Sequence, residues 1–229
     1  MGELEKYVLS AVMIIVVLWL YVYYILEVDL TNAFYVAVLV TVVAVIGHEL
    51  VHEIVAKYVC NFTNVRFSIP RFALEITVFS IVVLAALILL KQTTGIWSYL
   101  VPIIASPGAV VVDRIRTSDC GDDVAIAAPT YNLVVGIAAL AALLFMGYQP
   151  PFVVNDTSNT TVFLLANLSL FSLSLAFLNA LPIKIGDVAL DGWYALTIDR
   201  DDAVVRTLTV IDIVVSAAII YMGMFAIVW

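Results

Sequence analysis

The sequence predicts an all-α polytopic membrane protein of about six transmembrane helices with a re-entrant Pro-Gly segment. Three observations carry this expectation. The 229 residues are 64% apolar and only 12% charged, against roughly half and a quarter in soluble domains. The apolar runs reach about 20 residues, long enough to cross the hydrocarbon core of a bilayer. One apolar stretch, 95–112, is interrupted by Pro102 and by Ser106-Pro107-Gly108, which a straight helix does not tolerate.

Taken in order, the first span is expected at 7–26, with Trp19, Tyr21, Tyr23 and Tyr24 as an interfacial belt near its far end. It is too long for a signal peptide and has no small-residue cleavage site. An acidic turn, Glu27 to Asp29, leads to a second span at 31–58. A polar, basic segment broken by Pro70 follows, then a third span at 72–90 that begins near Glu75. In the 95–112 stretch, a Pro-Gly turn followed by Val110, Val111 and Val112 predicts a turn or short hairpin. Irregular backbone at membrane depth needs protein or a water-filled cavity around it, so this segment is expected to re-enter beside a site. Further spans are expected at 124–146, 161–178 and 203–229, with a non-helical loop and a short amphipathic piece between the last two.

A formal net charge of −8 argues against nucleic-acid binding, which favours a basic surface. Lys57, Arg66 and Arg71 follow the second span and Glu27 and Asp29 precede it. The positive-inside rule then predicts a cytoplasmic N-terminus. Cys60 and Cys120 form no CxxC pair and no ligand cluster. That orientation puts both in a reducing compartment, where unpaired thiols are expected.

The second span contains Gly47-His48-Glu49-Leu50-Val51-His52-Glu53, and His48 and His52 are the only histidines in the chain. An HExxH sequence on a helix places both imidazoles on one face, one turn apart, where they can reach a single metal ion. Glu49 between them is positioned to activate a water. A structural, hydrogen-bonded histidine pair is the alternative, but ionisable groups in hydrocarbon are costly and need a reason to be there. His52 precedes Lys57 by five residues, about 7–8 Å along the helix, so the site is expected within the membrane toward its cytoplasmic side. A catalytic zinc ion usually takes three protein ligands and leaves a position for water. With no histidine left, the third must be a carboxylate: Asp187, Asp191, Glu53 or Glu75. Glu53 projects about 100° away from His52 on the helix and suits an outer role. Residue types alone leave Asp187 and Asp191 open, along with a plain solvated loop.

The ordered motifs resemble the site-2 protease family of intramembrane zinc metalloproteases, in particular its compact archaeal members. HExxH in an early span is one shared feature. Ala127-Ala128-Pro129-Thr130-Tyr131-Asn132 is similar to AGPxxN, with Ala128 in place of the glycine. Asn179-Ala180-Leu181-Pro182 followed by Leu190-Asp191-Gly192 is similar to NxxP and LDG, and Ser106-Pro107-Gly108-Ala109-Val110 to a Pro-Gly-Ala-Val loop. The LDG triplet implies Asp191 as third ligand, with an insertion of about four residues. The family's usual spacing would instead select Asp187, which no glycine follows.

The resemblance implies one membrane-embedded protease domain over 1–229, with a catalytic core at about 31–198, in an archaeal cell membrane. It also implies a catalytic Zn2+, Glu49 as general acid-base, and Asn132 holding substrate or the oxyanion. An interhelical hydrogen bond is the other role open to Asn132. The expected reaction is hydrolysis of a peptide bond in or near a transmembrane helix of a membrane-protein partner. The competing readings are a metal transporter of the ZIP type and a catalytically silent relative. Val51 stands where the proline of the transporter motif would be.

Overall fold

In a computed structural model, the described residues are 3–62, 65–68, 109–112, 120–185, 188–197 and 202–226. The third span expected at 72–90, Glu75, Asp187 and the Ser106-Pro107-Gly108 turn lie outside them.

Helix α1 (Glu3–Tyr24) is followed by α2 (Leu30–Val59), α3 (Gly121–Phe145), α4 (Thr160–Ala180), α5 (Asp191–Thr197) and α6 (Ala203–Tyr221). Among the described residues, α2, α3, α4 and α6 are long and apolar enough to cross a membrane. Large apolar side chains on these helices face outward, including Phe34, Val42, Ile54, Val134, Ile137, Val210 and Val214. An outward apolar surface of that extent suits lipid and not water. The last helix stops at Tyr221, short of the expected 229. Gly223, with φ of +73°, lets the chain turn there, and Phe225–Ala226 pairs in parallel with Phe152–Val153. Residues 222–226 are as apolar as the helix before them, so composition alone extends the helix too far.

Each helix start has a local reason. Asp29 caps α2, its carboxylate accepting from the Thr31 and Asn32 amides at 3.2 and 3.1 Å. The Asn32 side chain adds a third bond at 2.8 Å, and these hydrogen bonds hold the Asp29 carboxyl below its ordinary pKa. Asn159 caps α4 and Asp202 caps α6 in the same way.

The main core gathers Ile14, Leu18, Tyr21 and Ile25 from the α1 segment, Val36 and Val40 from α2, and Phe163, Leu170 and Phe171 from α4. This packing closes the end of the bundle where α3 finishes. The opposite end, formed by the second half of α2, the first half of α3 and the end of α4, carries the buried His48, His52 and Asn132. Helices α3 and α4 run together over most of their length, and Ser169 Oγ donates to the Gly136 carbonyl at 2.8 Å between them.

Two short sheets flank that polar end. Strand β1 (Val65–Ser68) pairs antiparallel with β2 (Ala109–Val112), Val65 opposite Val112. Val110, Val111 and Val112 are therefore in a strand, as their β-branching predicts. Their partner in the basic segment after α2 was not apparent from the sequence. Lys184–Ile185 and Val188–Ala189 form a second antiparallel pair between Pro182 and Leu190.

The cysteines correct the sequence expectation. Cys60 and Cys120 are joined by a disulfide, with Cα atoms 5.8 Å apart across 60 residues. Their proximity is made by packing, since Cys60 ends α2 and Cys120 precedes α3, and sequence spacing gave no sign of it. Disulfides persist in oxidising compartments, intracellular proteins of hyperthermophiles apart. The bridge thus opposes the charge count that put this end of the bundle in the cytoplasm.

Candidate metal centre

The HExxH stretch is a regular α-helical segment (Gly47–Ile54) inside α2, with π-helical turns on either side at Thr41–Ile46 and Val55–Val59. Turns of this kind recur at functional sites because they shift which side chains face inward. His48 and His52 are 6% and 8% exposed, and their rings lie 4.9 Å apart at nearly a right angle.

Asp191 closes the set. Its Oδ2 is 3.2 Å from His48 Nε2 and 3.4 Å from His52 Nε2. Four donors around an ion with metal–nitrogen bonds of about 2.0–2.1 Å lie roughly 3.3 Å from one another in a tetrahedral site. Two neutral imidazole nitrogens and a carboxylate are also the donor chemistry of a catalytic zinc site. These three residues form a group that could hold a metal ion, and the donor set fits the one the sequence implied.

Asp191 is the first residue of α5, just after the short strand pair that follows Pro182. The next residue must be glycine. A Cβ on Gly192 would lie 1.9 Å from the Ala180 carbonyl oxygen and 2.3 Å from its carbon. The start of α5 therefore abuts the end of α4 backbone to backbone, and that contact sets the depth at which Asp191 meets the histidines.

Helix α3 supports both rings from behind. His52 Nδ1 donates to the Val124 carbonyl at 2.7 Å, and Asn132, fully buried, meets His48 Nδ1 at 2.9 Å through its side-chain nitrogen. Tyr131 OH donates to the Val43 carbonyl in the first π turn at 2.9 Å. Its ring rests on Gly47, where a Cβ would come within 2.3 Å of the phenol oxygen. The disulfide fastens the same two helices just beyond His52.

The other candidates fall as follows. Glu49 is partly buried on the same helical segment. Glu53 pairs with Lys57 one turn on, consistent with a place outside the ligand set. Asn132 reaches the edge of His48 remote from Asp191, so the imidazole ring separates it from the convergence of donors. Asn179 comes within 3.5 Å of His48 Nε2 itself, on the side where Asp191 lies.

The sequence reading passed over Asp212. It is fully buried on α6, and Thr130 Oγ1 donates to its Oδ2 at 2.8 Å. A lone aspartate in the last span was the available signal, since intramembrane acids call for a partner.

Comparisons of the chain with protein-family models, with curated proteins and with solved structures each find no match. The functional assignment therefore rests on the motifs and on the geometry of this centre.

Proposed function

We propose that the protein is an intramembrane zinc metalloprotease, similar in mechanism to the site-2 proteases, acting on a membrane-spanning helix of a partner protein within the bilayer. One observation carries the reading. Two imidazole Nε2 atoms and one carboxylate converge within hydrogen-bonding distance of a common point, with Glu49 between the histidines on a helix apolar enough to span a membrane.

His48, His52 and Asp191 would hold the ion. When bound, zinc lowers the pKa of a coordinated water toward neutrality and polarises a carbonyl. Glu49 then takes the proton from the attacking water and returns it to the leaving amine. Helical substrate must first unwind locally for its peptide bond to be reached. The β1–β2 pair lies against the Gly47–Ile54 segment, and a strand edge beside the centre suits an extended chain.

The test uses the full chain in proteoliposomes with a panel of single-span helices carrying a reporter at each end. Cleavage that needs zinc, and that Glu49→Gln abolishes while zinc stays bound, is the expected result. No cleavage of any member, with zinc carried instead into sealed vesicles, would favour a transporter and contradict the proposal.

A further inference from the structure

The buried face of α2 does not run straight through to the histidines. Val36 and Val40 are buried in the main core. Counted on from them at 3.6 residues per turn, that face would continue at about positions 43, 47, 50 and 54. Leu50 and Ile54 are instead exposed, while Ala44, His48, His52 and Ala56 are buried. The face has moved on by about one residue, or roughly 100° round the helix. The π-helical turn at Thr41–Ile46 lies between the two registers. A turn whose amides reach back five residues and not four takes up one extra residue, which accounts for the shift. An unbroken α-helix would turn Gly47 and Leu50 inward and carry His48 and His52 away from the interior.

Tyr131 of α3 meets this turn at two points. Its hydroxyl donates to the Val43 carbonyl at 2.9 Å, inside the widened stretch, where a backbone acceptor at membrane depth needs a partner. Its ring lies on Gly47, the residue between the turn and His48. A Cβ there would come 2.3 Å from the phenol oxygen and 2.8 Å from two ring carbons, so only glycine lets the ring in. Thr130 and Asn132, on either side of Tyr131, are engaged elsewhere, by Asp212 and His48.

We infer that Tyr131 is a positioning residue for the metal centre: by holding the π turn at Val43 and Gly47 it fixes the face on which α2 presents His48 and His52. This rests on the metal-centre reading above and goes beyond it, because it adds a residue outside the ligand set that acts through the helix carrying two of the ligands.

The test is zinc affinity of the full chain in detergent, by chelator competition, with zinc ion alone as the probe. Tyr131→Phe keeps the ring and removes the hydroxyl. It should weaken zinc about 3- to 20-fold, the range that an interhelical hydrogen bond in a membrane commands. Gly47→Ala should cost more, since the ring itself must leave. Gly47→Ala combined with Tyr131→Ala should lose no more than Tyr131→Ala alone, because both act through one contact. A further background separates positioning from packing. Deleting Val42, whose side chain is exposed, takes out the extra residue, closes the turn to a regular helix and leaves the histidines on the same face. That chain should bind zinc within about threefold of the parent. Tyr131→Phe should then have no effect on it, because an ordinary i→i+4 bond serves the Val43 carbonyl. Parent affinity in Tyr131→Phe, an equal loss from Tyr131→Phe in both backgrounds, or a deleted chain that binds no zinc overturns the inference. A parent that holds no zinc contradicts the proposed function instead.

Discussion

His48 and His52 lie one turn apart on one helix, yet the regions behind them differ in kind. Behind His52 is main chain: the Val124 carbonyl, near the N-terminus of α3 and next to the Cys60–Cys120 bridge. Behind His48 is a side chain, Asn132, deeper in the same helix and fully buried. A carbonyl can only accept, whereas a side-chain amide offers a donor at one atom and an acceptor at the other. The difference teaches that two identical rings one turn apart can be held by unlike partners, one by main chain and one by a side chain. It also separates what substitution can reach: no side-chain change removes the Val124 carbonyl, whereas the partner of His48 can be deleted at one position.

The comparison can be broken at several points. The largest effect is expected at Gly192. Gly192→Ala puts a Cβ against the Ala180 carbonyl, so α5 must move and take Asp191 from both rings. Zinc affinity should fall by more than the roughly 100-fold that an outer partner commands. Unchanged affinity would mean that the α4–α5 contact does not set the ligand.

Next is the bridge. Cys60→Ser should cost about 2–4 kcal/mol of stability by releasing a long loop, read by thermal unfolding with and without reductant. Zinc-linked changes should then appear at His52, whose support lies beside it, before His48. If both rings respond equally, the two ends of the centre are not separately held.

Smaller effects belong to the rear of α3. Thr130 faces α6 and bonds Asp212, about 200° round the helix from Asn132 at 100° per residue. A double-mutant cycle of Thr130→Val with Asp212→Asn should give a coupling near 0.6 kcal/mol and under about 1.7 kcal/mol, with zinc affinity unaltered. A loss of zinc there would show that the rear contact is also part of the centre. The smallest effect is predicted for Val124→Ala, which keeps the carbonyl and should leave zinc affinity unchanged within about threefold, a difference of under 1 kcal/mol.

Much of this was legible in the sequence because lipid imposes simple rules. Apolar length predicted a span at 31–58 where α2 runs Leu30–Val59, and one at 161–178 where α4 runs Thr160–Ala180. Spacing of four put His48 and His52 on one face, and the resemblance to an LDG triplet pointed to Asp191, while Asp187 lies outside the described residues. The glycine after Asp191 has a packing reason, since only glycine fits where Ala180 presses on α5. What the sequence hid depended on contacts between distant segments. Val65–Ser68 finds its strand partner more than 40 residues on, and Cys60 meets Cys120 only because α2 ends where α3 begins. A motif marked Asn132 as a polar residue in a span but could not say which edge of which ring it would meet. That edge depends on where α3 begins and how it lies against α2.

The most direct test of the central claim is the metal content of the purified full chain, compared with that of Asp191→Asn. One zinc ion per parent chain, and its loss from the variant at the same free zinc, is the predicted result. A parent without zinc, or a variant that retains it, would contradict the assignment of His48, His52 and Asp191 as the metal centre.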